Sequence, residues 1–208
     1  MTPQQLLNDG LAELSLDLPA DTRERLLAYA ALIAKWNKVY NLTAIRSADE
    51  IITLHLLDSL TVLAHVTADR IADIGAGAGL PGIVLAIVRQ DLEVHTVDTV
   101  QKKVTFMRQA KIDLGLKNLE AHHVRVEQWQ PAKPFPAVIS RAFSDMADFV
   151  KLTDHLVAED GHWLAMKGVY PHEELAQLPA GVRMKEAIAL RLPGAADTHR
   201  HLIVLERS

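Results

Sequence analysis

Between Ile71 and Asp98 the chain spells out one supersecondary unit, and no other stretch restricts the possible folds as strongly. The short apolar run Ile71-Ala72-Asp73-Ile74 ends in an acid and opens into Gly75, Gly77, Gly79 and Gly82. An apolar segment, Ile83 to Val88, follows at helical length, and Val94 to Val97 then leads to a second acid, Asp98. This pattern predicts a strand, a glycine turn, a helix and a second strand, with a carboxylate at the tip of each strand. Glycines permit positive φ and let a ligand approach the backbone. The helix behind the turn offers free N–H groups at the positive end of its dipole. Asp98 falls where such folds place an acid against a ribose.

Two ligand classes use this arrangement. Gly77, Gly79 and Gly82 satisfy the dinucleotide spacing G-x-G-x-x-G, which alone is a weak signal. Asp73-x-Gly75-x-Gly77-x-Gly79 fits a second pattern better and resembles the first motif of Rossmann-like S-adenosylmethionine methyltransferases. A carboxylate at the strand tip would repel a pyrophosphate, whereas it suits the ammonium of a methionyl arm. A turn serving only as a tight connection is the simpler alternative. Four glycines in eight residues with a distal acid make it a poor fit.

Composition narrows the chemistry. The chain has 208 residues, 49% of them hydrophobic, enough for one core with an appendage. It contains no cysteine, which removes disulfides, thiolate zinc sites, iron–sulfur clusters and a catalytic thiol. Methylation through a cysteine adduct and radical adenosylmethionine chemistry are excluded with them. His122, His123, His199 and His201 lack a regular metal spacing, so no metal is expected. No apolar run reaches the roughly 20 residues of a membrane span, and the N-terminus lacks signal-peptide features; a cytoplasmic, monomeric protein is expected. The net charge of −4 argues against wholesale phosphate binding.

Residues 1–68 are expected to form a helical N-terminal cap and residues 69–208 a Rossmann-like α/β domain. In the cap, Leu6, Leu7, Leu11 and Leu14 recur at helical spacing. Asp21-Thr22-Arg23-Glu24 reads as a capping-box-like start of a long helix ending near Tyr40, and Ser47-Ala48-Asp49-Glu50 opens another running to about Ala64. Asn41 suits a left-handed helix cap. His55 and Asp58, three apart, are either an acid–base pair or a buried histidine bonded to its neighbour. Beyond Asp98, Val104, Met107 and Ala110 should face a sheet. Lys102, Lys103, Arg108 and Lys111 present either a solvated face or a phosphate contact. Further strands are expected at Leu119–His122, Ala137–Ser140 and Gly161–Gly168, with a helix from Phe149 to Val157 between the last two. Ala187–Leu192 and His201–Leu205 should close the fold as an antiparallel pair. Arg141 then sits at a strand's C-terminal tip, beside Asp73 and Asp98, where open α/β sheets bind ligands.

Several blocks together resemble one bacterial family. They are Lys35 to Thr43 (KWNKVYNLT), His55-Leu56-Leu57-Asp58-Ser59, Asp73 to Gly82, Val138 to Phe143 (VISRAF) and Arg200 to Val204 (RHLIV). The chain is similar to the ribosomal RNA small subunit methyltransferase G, or glucose-inhibited division protein B, family over nearly its whole length. The resemblance implies a class I S-adenosylmethionine-dependent fold and methyl transfer to N7 of one guanine in 16S ribosomal RNA, with the 30S subunit as the expected partner. It also implies cofactor contacts at Gly75, Leu80, Val126, Glu127 and Arg141, and active-site roles for Asn41, His55, Arg141 and Arg200. The family's loop often reads Gly-Thr-Gly-Pro-Gly; Ala76 and Ala78 here keep the glycines and drop a hydroxyl.

The chemistry agrees. Guanine N7 carries a lone pair in the neutral base, so no general base is required and alignment can supply much of the rate. The product ring is cationic, and Asp58 is a candidate to steady it. Exocyclic-amine methyltransferases place an Asn/Asp-Pro-Pro-aromatic motif where this chain has Ser140-Arg141-Ala142-Phe143. A small-molecule methyltransferase and a non-catalytic nucleotide-binding module remain the alternatives.

Overall fold

In a computed structural model describing residues 1–195 and 197–208, seven strands form one sheet. They are β1 (Arg70–Ile74), β2 (Glu93–Asp98), β3 (Leu119–His123), β4 (Phe135–Ser140), β5 (Val157–Lys167), β6 (Val182–Arg191) and β7 (His199–Arg207). Their spatial order is β3-β2-β1-β4-β5-β7-β6. The first five pair in parallel, and β7 runs antiparallel to both β5 and β6. Parallel strands need both faces covered, and β1 and β4 are accordingly buried almost throughout. Their carboxyl ends converge on one edge, which brings Asp73, Asp98 and Arg141 together as expected.

The N-terminal segment is helical. It comprises α1 (Pro3–Glu13), α2 (Ala20–Tyr40), α3 (Ala48–Ile51), a π-helical stretch at Ile52–Leu57 and α4 (Asp58–Leu60). The sheet is flanked by α5 (Gly82–Val88), α6 (Gln101–Asp113), α7 (Met146–Thr153) and the short α8 (His172–Leu175). Leu7, Leu26, Ile33 and Leu57 of the N-terminal helices join Ile71, Ile83, Val104 and Leu202 in one apolar cluster. A second cluster on the other sheet face is built around Phe135, Phe149 and Trp163. Val104, Met107 and Ala110 are fully buried, as the periodicity predicts.

Several local expectations are corrected. Pro19, not Asp21, is the N-cap of α2; Asp21 reaches forward to Arg25 instead, at 2.5 Å. The helix opened by Ser47 widens to a π-helix around His55 and ends at Leu60, and a separate 3-10 turn, Leu63–His65, carries the segment past Ala64. The helix over Phe149–Val157 runs from Met146 to Thr153, and Val157 already belongs to β5. On α6, Arg108 donates to the Ala121 carbonyl and Lys111 pairs with Glu120 at 2.6 Å. Lys103 lies 4.0 Å from Asp98 Oδ2, so three of the four cations on that helix have partners within the protein itself.

Candidate active site

The turn after β1 is built as its glycines dictate. Gly75, Gly77 and Gly79 all adopt left-handed conformations, with φ of 70°, 62° and 88°. Gly75 N and Ala76 N both donate to the Val97 carbonyl, which ties the turn to β2. A Cβ on Gly75 would lie 2.8 Å from that of Ala142, so the β1 and β4 tips touch only because Gly75 has none. Tyr29 of α2 donates from its hydroxyl to the Ala78 carbonyl and fastens the helical segment to the turn.

Asp98 is buried at the tip of β2 and accepts from Gly77 N at 2.9 Å and Val100 N at 2.8 Å. A carboxylate has about four acceptor positions, so two remain for hydroxyl donors. Asp73 behaves differently from the expectation. Its Oδ2 accepts from Gly82 N at the start of α5, its Oδ1 has no partner among the described residues, and the side chain is fully buried. Burial raises its pKa to about 7, against the opposing effects of the Gly82 N–H and the Arg141 charge. Asp73 therefore lies behind the turn as an anchor for it, rather than on the cleft wall facing a ligand. The physical reason is the short reach of Asp: from a strand end it meets the first free N–H of the next helix.

Three adjoining cavities follow the sheet edge. The first, about 280 Å³, is lined by Asp98, Val100, Val126, Glu127 and Phe143. The second, about 180 Å³, lies over Gly75, Gly77 and Leu80 and under Thr43. The third, about 350 Å³, opens between the π-helical stretch and strands β5 to β7. Gly75 and Ala142 are walls of both the first and second; His55 and Arg141 are walls of both the second and third.

Arg141 is the partition. Its Nη1 donates to Asp58 Oδ2 at 3.1 Å and to the Leu54 carbonyl at 3.2 Å, while Nη2 lies 3.4 Å from His55 Nδ1. The π-helical widening supplies that carbonyl, as π-bulges often do at functional sites. Arg200 of β7 reaches the same carboxylate, Nε to Asp58 Oδ1 at 2.6 Å. Both Asp58 oxygens are thus occupied by guanidinium groups. The reading of Asp58 as a direct partner of a cationic product gives way to that of an anchor for two arginines. His55 Nε2 lies 2.9 Å from Thr43 Oγ1. Burial, then the Arg141 charge, lowers its pKa to about 4, so the ring is neutral at pH 7. A neutral imidazole beside a guanidinium fits a wall group better than a proton carrier.

Asn41 is the outlier among the candidates. It caps α2 in the left-handed region (φ 50°, ψ 56°), and its Oδ1 accepts from Arg46 Nη2 at 2.8 Å. It lies on the rim and lines none of the three cavities. Several positioning residues were not foreseen. Ser140 donates to the Ile74 carbonyl at 2.7 Å and accepts from Ala142 N, so it locks the β1 and β4 tips together. Lys167 donates to the Phe143 and Ser144 carbonyls and to Glu174 at 2.6 Å. Ser140 and Thr43 sit inside blocks that sequence reading singled out, though neither was named there as a positioning residue. Tyr29, Thr43 and Lys167 act on residues remote in the chain and leave no local pattern.

This strand order, with an acid–glycine turn after β1 and a buried acid at the tip of β2, defines a Rossmann-like S-adenosylmethionine-dependent methyltransferase. Solved structures share that fold. A methyltransferase from Aquifex aeolicus has a TM-score of 0.55 at 17% identity, covering 75% of this chain and 92% of its own. One from Thiobacillus denitrificans, solved with S-adenosyl-L-homocysteine, has a TM-score of 0.53 at 11% identity, covering 73% and 91%. The family described as "GidB: rRNA small subunit methyltransferase G" matches residues 22–203, and the chain belongs to that family. Ribosomal RNA small subunit methyltransferase G of Methylobacillus flagellatus is 57% identical over 202 residues, 97% of each chain. The protein of the same name from Laribacter hongkongensis is 49% identical over 205 residues, 99% of each.

Proposed function

We propose that this protein transfers a methyl group from S-adenosylmethionine to N7 of a single guanine in 16S ribosomal RNA. The observation that carries the reading is the run of three cavities along the sheet edge, with Arg141 dividing the two nearest the cap. The residues fit the cofactor. Left-handed Gly75 and Gly77 leave an open cradle, Asp98 retains free acceptor positions, and an unpartnered Asp73 oxygen lies beneath the turn. When bound, the cofactor supplies a sulfonium methyl group.

The chain's own residues then have separable roles. Asp98 accepts from the ribose hydroxyls, and Val126 and Glu127 flank the adenine end. Gly75, Gly77, Gly79 and Leu80 shape the turn over which the methionyl arm lies. Asp73 holds that turn against α5 and biases it toward a positive group through its buried charge. Arg141 and His55 form the wall between donor and acceptor, and Arg200 faces the acceptor side. Asn41 orders the rim through Arg46. No residue has to remove a proton, because N7 offers its lone pair directly; neutral His55 and an Asp58 held by two guanidinium groups agree with that. Alignment of the acceptor is then the main contribution of the site.

Residues 1–68 act as a substrate-side cap on a methyltransferase unit of residues 69–208. Among the described residues no helix is long and apolar enough to cross a membrane; we place the activity in the cytoplasm, with the 30S subunit as substrate and the protein acting as a monomer. A chain of net charge −4 has few cations to spend on phosphates, so binding of naked RNA at physiological salt should be weak. The test compares methylation of deproteinised 16S RNA, 30S subunits and 70S ribosomes from cells lacking the protein, with nucleoside mass spectrometry of the product. N7-methylguanosine formed fastest on 30S subunits is the expected result. A product methylated elsewhere overturns the N7 reading, and equal rates on naked RNA overturn recognition of the particle.

A further inference from the structure

We infer that the third cavity admits one extruded guanine nucleotide, its base between apolar walls and its phosphate on the Arg200 side. The inference rests on the N7 reading and adds where and how the acceptor is held. At about 350 Å³ the cavity is within the roughly 300–1,000 Å³ of small-molecule sites and is larger than the neighbouring space over the glycine turn. Its lining is divided. Ile45, Leu54, Met166 and Leu190 supply apolar sides suited to the faces of a flat ring. Arg200, Lys167 and His201 are the polar groups away from the Arg141 partition.

Charge accounting favours an anion at that end. Asp58 is shared by two guanidinium groups, and Glu174 is paired with Lys167, so three cations face two carboxylates and one positive charge is left over. Arg200 uses Nε on Asp58 and Nη1 on the His199 carbonyl, and its Nη2 has no partner among the described residues. The unused N–H donors of Nη2 suit a phosphate oxygen by charge and by hydrogen bonding. A second argument comes from the acceptor atom. N7 lies on the major-groove edge, which A-form RNA closes to side chains. A cavity of about 350 Å³ cannot admit a duplex, so the nucleotide must leave its stack to enter, as bases do for other base-modifying enzymes.

The experiment uses the full-length protein and 30S subunits from cells lacking it. Leu190→Trp fills the apolar side from β6, away from the cofactor cavities. It should leave the melting transition and S-adenosylmethionine affinity unchanged while lowering methylation at least 50-fold. Millimolar GMP should inhibit 30S methylation at least fivefold more strongly than guanosine. Arg200→Gln should abolish that difference and lower the slope of log KM against log salt by about one, the signature of a single lost phosphate contact, while Arg200→Lys keeps the slope. Wild-type rates for Leu190→Trp, or equal inhibition by GMP and guanosine, overturn the inference. In either case N7-methylguanosine made by the wild-type protein would still stand, whereas its absence would overturn the underlying reading instead.

Discussion

Arg200 and Asp58 are 142 residues apart in the chain, yet Arg200 Nε donates to Asp58 Oδ1 across 2.6 Å. The contact joins the last strand to the N-terminal helical segment, and Arg141 completes it from the tip of β4. One buried carboxylate thereby sets the position of two guanidinium groups and ties three parts of the fold together.

Asp58→Asn keeps the size of the side chain and removes its charge. Losing one partner of a fully buried pair costs about 3–5 kcal/mol; with both arginines about a quarter exposed, roughly 2–3 kcal/mol is expected here. Methylation should fall at least 100-fold, and cofactor affinity should change less, because Asp58 borders only the acceptor cavity. Calorimetry and single-turnover methylation separate the two. Equal losses in both would place Asp58 in the cofactor site.

Asp98→Ala removes the ribose acceptor and also frees Gly77 N. A hydrogen bond to a charged group contributes about 1.5–3 kcal/mol, so S-adenosylmethionine binding should weaken at least tenfold while the fold persists. Unchanged affinity by calorimetry would remove Asp98 from the cofactor site.

Gly75→Ala tests the close approach of β1 and β4. Left-handed backbone at φ 70° costs a non-glycine residue about 1–2 kcal/mol, and the new Cβ must also displace Ala142, a wall of two cavities. Stability and cofactor affinity should fall together, the latter at least tenfold. Gly115→Ala is the control: φ is 64° but no atom lies within 4 Å of the added Cβ. It should lose about 1 kcal/mol of stability and no cofactor affinity.

Asp73 gives the ligand-free protein an unusual pH dependence. A carboxyl group raised from 3.8 to about 7 binds more protons folded than unfolded across that interval. Its contribution to stability is complete below the unfolded value and is lost as pH rises through about 7. Asp73→Asn keeps an oxygen for Gly82 N and cannot ionise. Its melting temperature should therefore lack this decline between pH 4 and 7 and exceed that of the parent at pH 8. A positively charged methionyl arm favours the carboxylate, so cofactor binding near pH 7 should release protons in the parent and not in the variant. Calorimetry in buffers of different ionisation enthalpy measures that release; identical values for the two proteins would refute the assignment.

The β1–turn–α5–β2 unit was legible in the chain because its signals are local. Short apolar runs, closely spaced glycines and the acid at each strand tip are properties of residues within thirty positions of one another. The antiparallel finish and the helical character of the N-terminal segment followed from similar short-range patterns, and the RNA-directed reading from blocks such as VISRAF. What tertiary structure decided was direction and partnership. Asp73 turned to the helix behind it because a free N–H lay within its reach, and Asp58 was claimed by Arg141 and Arg200, whose distance in the chain no periodicity encodes. The π-helical widening around His55, whose Leu54 carbonyl accepts from Arg141, likewise has no signature in the local sequence.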